Sequence, residues 1–163
     1  ILGKTANGFI LVDGEALQND CKLVATNGKL DVQVNLVAAP LSMEVVNGSA
    51  LLEAKEATGA LDLSAVNGKV SASLGKIKDG SFTATNGRVD LEVGRISGDV
   101  EAKVRNGKVN VVLTQKATDL TFHCDYKYAN LPEGWHDGVR FGSGKATLRI
   151  AAASNGHLDF TAK

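Results

Sequence analysis

An Asn-Gly dipeptide recurs along this chain at an almost constant spacing. Its asparagines are Asn7, Asn27, Asn47, Asn67, Asn86, Asn106 and Asn155. The first six are 19 or 20 residues apart, and the last step is 49 residues. A fixed period of this size is the sequence signature of stacked structural repeats. The spacing therefore predicts a repeat protein, in which residues committed to a repeated turn are not available for a single catalytic site.

Apolar and polar residues alternate on both sides of each Asn-Gly. If the asparagine is position 0, apolar residues occupy positions −6, −4 and −2 and positions +3, +5 and +7. Around Asn27 these are Cys21, Leu23, Ala25, Leu30, Val32 and Val34. A period of two residues indicates β-strands with one buried face. Each repeat is therefore predicted to contain two strand segments joined at the Asn-Gly.

Two all-β architectures fit this pattern. In an antiparallel meander or sandwich, each Asn-Gly closes a hairpin, with positive φ at both turn residues. That arrangement needs roughly 14 strands, and closed into a barrel they leave a lumen that Val, Ala and Leu cannot fill. In a parallel β-solenoid, each repeat of about 20 residues is one coil, and equivalent residues stack about 4.8 Å apart. We expect the solenoid, with about eight coils and the asparagine side chains forming a ladder along one edge.

The repeat is interrupted between residues 125 and 144, where an Asn-Gly is missing. The chain therefore reads as one domain, residues 1–163, with an aromatic loop inserted at 125–144. Candidate interaction residues in this loop are Tyr126, Tyr128, Trp135, His136 and Phe141. An insertion in a repeat array is often a loop on the binding face. Solenoid ends also need capping, so the same loop is alternatively a lid over the last coils.

Short motifs in the last third of the chain resemble the closing motif of the DUF4097 family of adhesin-like proteins. They are the glycine-rich step and strand at Gly142–Ile150 and the turn and strand at Ala153–Leu158, and Thr-Asn-Gly turns recur at Asn27 and Asn86. Val46, Val66 and Arg105 depart from the Thr that the family favours before the turn. The resemblance implies a bacterial β-solenoid that is exported or associated with the cell envelope, and it carries over no catalytic residue.

Composition excludes several functional classes. Lys plus Arg and Asp plus Glu each total 18 residues, so the formal net charge is zero. A chain without a net basic patch is not expected to bind nucleic acid. No apolar run approaches the roughly 20 residues of a membrane span. Because Ile1 and Leu2 lie inside an apolar stretch, we expect a signal segment that has been removed or is not included.

No recognised catalytic or metal-binding motif is found. Val139 and Ala146 break a superficial phosphate-loop match, and the spacing of His123, Cys124 and His136 matches no zinc pattern. Asp31, Asp90 and Asp159 share position +4 but lie on separated coils, too far apart for paired acid–base work. The sequence therefore predicts no catalytic residue, no cofactor and no metal.

The two cysteines, Cys21 and Cys124, both fall at apolar positions of the repeat. In a solenoid they lie about five repeats apart, roughly 24 Å, whereas a disulfide requires Cα atoms within about 7 Å. We therefore expect two separate, buried thiols.

These observations predict a non-enzymatic, adhesin-like or scaffold module of the periplasm, cell surface or extracellular space. It presents a repeat surface and the aromatic loop to a protein or another cell-surface component. One alternative is a structural subunit that assembles with copies of itself through open solenoid edges. A second alternative is a carbohydrate-binding or lyase-type β-helix, in which Trp135, Tyr126 and Tyr128 form the platform for a glycan.

Overall fold

Within the described residues, the chain forms ten β-strands and no helix. The computed structural model describes residues 1–125 and 129–163, with the backbone alone at residues 152–155. The strands are β1 (Leu2–Leu17), β2 (Cys21–Val37), β3 (Leu41–Ala57), β4 (Leu61–Ile77), β5 (Gly80–Ile96), β6 (Asp99–Leu113), β7 (Leu120–Asp125), β8 (Ala129–Asn130), β9 (Arg140–Phe141) and β10 (Ala146–Ala162). Each long strand, β1 to β6, is one coil.

Successive coils pair in parallel and in register. Asn7 lies opposite Asn27, Asn27 opposite Asn47, and Gly68 opposite Gly87, so each residue stacks on its counterpart one repeat away. This confirms the parallel β-solenoid and rules out the antiparallel meander. The regular part has about six turns, β1 to β6, rather than the eight that we expected, because the remaining residues build the end of the stack.

The Asn-Gly pair bends the strand without closing a hairpin. Strand pairing continues through both residues, and only glycines have positive φ in the described part of the chain. The φ of Gly28 is +156°, and a Cβ atom added there would lie 1.9 Å from the carbonyl oxygen of Gly8. Positive φ at both turn residues, which the hairpin alternative requires, is therefore not found at these corners. Glycine is required at this corner both for its φ and because the neighbouring backbone passes so close.

One continuous hydrophobic core lies inside the coils. The inward positions on both arms of each coil are almost inaccessible to solvent, for example Leu23, Leu30 and Val32 in β2. The arms face each other: a Cβ atom on Gly3 would lie 3.4 Å from Cδ1 of Ile10, across the corner in the same coil. Burying each Leu or Val contributes about 1.5–3 kcal/mol relative to leaving it exposed. The alternation predicted from sequence is thus what holds the coils together.

The last coils are not stacked in chain order. The sheet runs β1-β2-β3-β4-β5-β6-β10-β7-β9, and β8 pairs with β10. The chain therefore leaves β6, passes over one position to form β7, and later returns to fill that position with β10. β9 pairs antiparallel with β7, with Leu120 opposite Phe141 and Thr121 opposite Arg140. The inserted segment thus closes this end of the solenoid.

This order separates the cysteines further than expected. Cys21 in β2 and Cys124 in β7 are six sheet positions apart, roughly 29 Å at the normal strand spacing, so no disulfide joins them. Cys21 is buried, and its burial raises the pKa of the thiol. Cys124 is half-buried, not fully buried as expected, because β7 lies at the outer end of the stack.

Candidate interaction surfaces

A ladder of asparagine amides runs along the Asn-Gly corner. Nδ2 of Asn27 donates to Oδ1 of Asn7 at 2.8 Å, and the same bond repeats through Asn47, Asn67, Asn86 and Asn106 at 2.8–3.0 Å. The backbone of Asn155 pairs with Asn106, but its side chain lies outside the described part. All the bonds point the same way, so Nδ2 of Asn7 has no asparagine to donate to. The ladder holds the corner rigid and gives it a direction.

An uncharged strip accompanies this ladder. The residues just before Asn27, Asn47, Asn67 and Asn86 are Thr26, Val46, Val66 and Thr85. Val46 is 41% exposed and Val66 is 44% exposed. We call these four residues and their ladder asparagines the corner strip. The departure of Val46 and Val66 from the Thr pattern thus places two apolar side chains on a rigid, exposed edge.

The face beyond the corner carries ion pairs. Lys29 binds Asp31 at 2.7 Å, and Lys69 reaches across one coil to Asp90 at 2.9 Å. Asp159 pairs with Lys108 and with His157. The hydrogen bond from Lys108, followed by that from His157, lowers the pKa of the Asp159 carboxyl. Asp31, Asp90 and Asp159 thus each have a cationic partner on this face.

An aromatic cluster closes the other end of the stack. The Trp135 ring lies 5.3 Å from Phe122 edge-on, 4.7 Å from Phe160 and 4.5 Å from Phe141, measured between ring centres. Phe122 and Phe160 stack at 5.0 Å. Pairs at these separations are worth about 0.5–1.5 kcal/mol beyond the area they bury. The loop that we call the cap, residues 131–144, therefore contributes Trp135 and Phe141 to the packing of the last coils.

Backbone hydrogen bonds to two aspartates hold the cap in place. Oδ1 of Asp137 accepts from the backbone N–H of Cys124 at 2.9 Å. Oδ1 of Asp119 accepts from both the N–H and the hydroxyl of Ser143, at 2.9 and 2.8 Å. The Cys124 bond lowers the pKa of the Asp137 carboxyl, with a smaller contribution from His123, and the Ser143 bonds lower that of Asp119. When ionised, the Asp137 and Asp119 carboxylates thus accept the hydrogen bonds that attach the cap to β7 and to the residue before it, and we call these two groups of bonds the cap latches.

The predicted loop residues are only partly brought together. Trp135 and Phe141 touch, whereas the neighbouring His136 is exposed and its ring contacts the carbonyl oxygen of Asp137 at 2.9 Å. Tyr126 and Tyr128 lie outside the described residues. Trp135 packs against three other rings, which fits the role of a cap. The glycan platform of Trp135, Tyr126 and Tyr128 stays a prediction. Sequence reasoning missed Phe122 and Phe160, although both are aromatic residues at inward positions beside the insertion.

The first coil has a different surface. Its outward positions carry Leu2, Phe9 and Leu11, where β2 has Lys22, Lys29 and Asp31. Leu2 is 67% exposed, Phe9 54% and Leu11 53%. The Lys29 ammonium lies 5.3 Å from the centre of the Phe9 ring, a cation–π contact. The exposed large apolar side chains are therefore concentrated on one coil, apart from the two valines of the corner strip.

Other polar features are less specific. An open groove of about 560 Å³ crosses β1 to β4 and is lined by acidic, amide and basic side chains, among them Asp13, Glu15, Gln33 and Lys55. Within residues 1–125 and 129–163, no three His, Cys, Asp or Glu side chains are grouped as metal ligands. His123 approaches Asp137 at 3.4 Å, so its side chain belongs to the cap latch.

Comparison with known proteins gives no relative: no family model, no curated protein and no solved structure matches the chain. The resemblance to the DUF4097 family therefore stays an expectation that depends on the short motifs alone. The described residues contain no helix that is long and apolar enough to span a membrane.

Proposed function

We propose that this chain is a non-enzymatic scaffold or adhesin-like module of the cell envelope or extracellular space. Its working surface is the corner strip, which presents a regular row of uncharged groups to a protein partner. The observation that carries the proposal is the exposure of Val46 and Val66 at 41% and 44% beside hydrogen-bonded amides.

The physical argument is one of preorganisation. Asn47 and Asn67 are each bonded to the coil before and the coil after, so their amides have little rotational freedom left to lose on binding. A surface that is rigid before binding loses less entropy when a partner docks. Two exposed valines flanked by threonines supply apolar contact area, while the adjacent charged face is neutralised by its own ion pairs. This combination favours a protein partner over a charged polymer.

The location follows from the family resemblance and is part of the proposal. The chain also has no net charge to attract nucleic acid. The cap has the complementary role of closing the stack, since Trp135 packs against Phe122 and Phe160.

The test uses the immobilised chain to capture proteins from an envelope extract of a bacterial host. We expect one or more proteins to be retained by the unchanged chain and lost when Val46→Glu and Val66→Glu are combined. The matched control is Ser71→Glu with Ser73→Glu, which adds the same charge at outward positions on the other arm of β4, away from the strip. Equal retention by the valine variant and the unchanged chain would contradict the corner strip as the binding surface.

A further inference from the structure

We propose that the Asn-Gly corners are sites of spontaneous deamidation, and that the amide ladder of the folded stack blocks this reaction. Deamidation converts an asparagine to aspartate or isoaspartate, with water as the reagent. A chain that stays unfolded therefore loses the ability to form the stack. This inference concerns the chain's own covalent chemistry, so it stands apart from the partner that the corner strip binds.

The reaction takes place within one corner. The main-chain nitrogen of the glycine attacks Cγ of the asparagine and loses its proton, while the Cγ–Nδ2 bond breaks and Nδ2 leaves with that proton as ammonia. This gives a five-membered succinimide ring. Water then opens the ring, its hydroxyl group adding to one of the two carbonyl carbons and its proton to the ring nitrogen. Opening at Cγ gives aspartate, whereas opening at the main-chain carbonyl gives isoaspartate, in which the chain runs through Cγ.

Asn-Gly is a favourable sequence for this reaction. Asparagine is among the thermally labile residues, and glycine has no Cβ atom to hinder the attack by its nitrogen. Both residues are needed at the corner, since the ladder uses the asparagine amide and the close approach between coils admits only glycine. The fold thus places a reactive dipeptide in each of the coils β1 to β6. Two asparagines that precede larger residues, Asn35 and Asn110, provide internal controls.

The folded ladder restrains the amide that would react. Nδ2 of Asn67 donates to Oδ1 of Asn47, and Oδ1 of Asn67 accepts from Nδ2 of Asn86, both at 3.0 Å. Attack makes Cγ tetrahedral, so Oδ1 and Nδ2 leave the plane in which these two bonds are made. Strand pairing with both neighbouring coils also fixes the main chain of Asn67 and Gly68. At the usual net value of a hydrogen bond, the loss of two bonds slows the reaction about thirtyfold.

The same pair of bonds occurs at four positions of the ladder, which we call the inner rungs. Each inner rung donates to the coil before it and accepts from the coil after it, at 2.8–3.0 Å. The four residues are Asn27, Asn47, Asn67 and Asn86. The protection described for Asn67 is therefore expected at all of them.

Neither product of deamidation fits at an inner rung. In aspartate an oxygen replaces Nδ2, so two acceptors face each other where a hydrogen bond was made. Isoaspartate adds a carbon atom to the main chain, next to a glycine where even a Cβ atom has no room. On Gly68 that atom would lie 1.9 Å from the Gly48 carbonyl oxygen. Isoaspartate therefore breaks the register of its coil with both neighbours.

The primary measurement is the rate of deamidation at each asparagine, followed by peptide mass mapping at mildly alkaline pH. The folded chain is compared with the chain unfolded in guanidinium chloride, and a synthetic peptide of residues 62–73 in both buffers corrects for the denaturant. We expect the inner rungs to react at least about thirtyfold more slowly in the folded chain. Asn35 and Asn110 should react slowly in both states. Equal corrected rates at the inner rungs in the two states would overturn the proposal.

Two variants separate the ladder from folding in general. Asn47→Ala removes the acceptor of Asn67, Asn86→Ala removes its donor, and each leaves the reacting dipeptide intact. With circular dichroism showing the same fold, each should raise the deamidation rate of Asn67 about fivefold. Asn35→Ala is the matched control, because Asn35 bonds to Glu15 outside the ladder, and it should leave the rate unchanged. An unchanged Asn67 rate in both ladder variants would contradict protection by the ladder.

Refolding tests the consequence for the stack. The chain is held in denaturant for increasing times and diluted, and the folded fraction is separated by size exclusion. Its yield, relative to a sample diluted at once, should fall in step with deamidation of the inner rungs. The folded fraction should contain at least about tenfold less isoaspartate at these rungs than the remainder. The same isoaspartate content in both fractions would overturn the proposal.

Discussion

The first coil and the capped end are built from the same kind of parallel strand, but only the capped end is covered by further residues of the described chain. At the capped end, β10 lies between β6 and β7, and Trp135 packs on Phe122 and Phe160. On the first coil, Leu2, Phe9 and Leu11 are exposed and no described strand pairs with the outer edge. A stack of identical parallel coils leaves an unpaired strand edge wherever it ends, and such an edge needs residues outside the repeat to cover it. The residues that close the capped end are thus the non-repeating ones, whereas the repeat alone leaves a strand edge unpaired among the described residues.

The largest effect is expected at the glycine corners, where the inside of the stack differs most from its first coil. In Gly68→Ala the new Cβ atom would lie 1.9 Å from the Gly48 carbonyl oxygen, in addition to the strain of φ at +158°. Gly8→Ala has similar φ strain but only a 3.3 Å contact with Thr5. We expect a loss of more than about 3 kcal/mol in the free energy of unfolding for Gly68→Ala and about 1–2 kcal/mol for Gly8→Ala.

Urea unfolding at low protein concentration measures both. Gly14→Ala is the control, because nothing lies within 4 Å of a Cβ atom there and its φ is not positive; it should change stability by less than about 0.5 kcal/mol. Equal losses for Gly68→Ala and Gly8→Ala would mean that the close approach of the neighbouring backbone does not contribute to the cost of the substitution.

A second comparison sets the aromatic residue of each end side by side. Trp135→Ala removes a ring that contacts three others, and we expect a loss of about 2 kcal/mol, since the side chain is only half-buried. Phe9→Ala removes an exposed ring and should cost at most about 0.5 kcal/mol. Chemical denaturation gives both values. Similar losses for the two variants would contradict the distinction between a packed cap and an open coil.

The amide ladder offers a smaller version of the same contrast. Asn67 bonds to ladder asparagines on both sides, whereas Asn7 bonds to one. Asn67→Ala should therefore cost about 1 kcal/mol and Asn7→Ala about half of that. Thermal unfolding of the two variants against the unchanged chain gives the order, and a larger loss at Asn7 would exclude the ladder as a chain of equivalent bonds.

The smallest effect concerns the latch at Asp137. Its hydrogen bond from Cys124 lowers the pKa of the folded carboxyl, so the stability it supplies is present in full above the ordinary pKa of about 4. That contribution is lost as the pH falls below 4 through the lowered pKa. Trp135 fluorescence during unfolding between pH 7 and pH 2 should show the cap weakening, and Asp137→Asn should flatten this part of the profile. Asp62→Asn, on a regular coil, should leave it unchanged.

Sequence reasoning recovered the coil but not the end. The 20-residue step, the inward columns such as Leu23 and Leu30, and the asparagine ladder could all be predicted because they repeat, and each copy supports the others. The position of β10 could not, because its alternation fits equally well on any parallel coil. The position of β10 between β6 and β7 depends on contacts between residues that are distant in sequence, above all those of Phe160 with Phe122 and Trp135. The exposed apolar side chains were hard to predict for the opposite reason: Val46, Phe9 and Leu11 look like minor exceptions to the repeat until their exposure is known.

Hydrogen–deuterium exchange of the chain tests the difference between the two ends most directly. The backbone amides of β10, which lies between β6 and β7, should exchange slowly. Those of β1, whose outer edge pairs with no described strand, should exchange fastest among the long strands. Protection should rise from β1 to β3 and stay high through β10. Fast exchange throughout β10, with β1 as protected as β3, would contradict a stack that is open at its first coil and closed at its last.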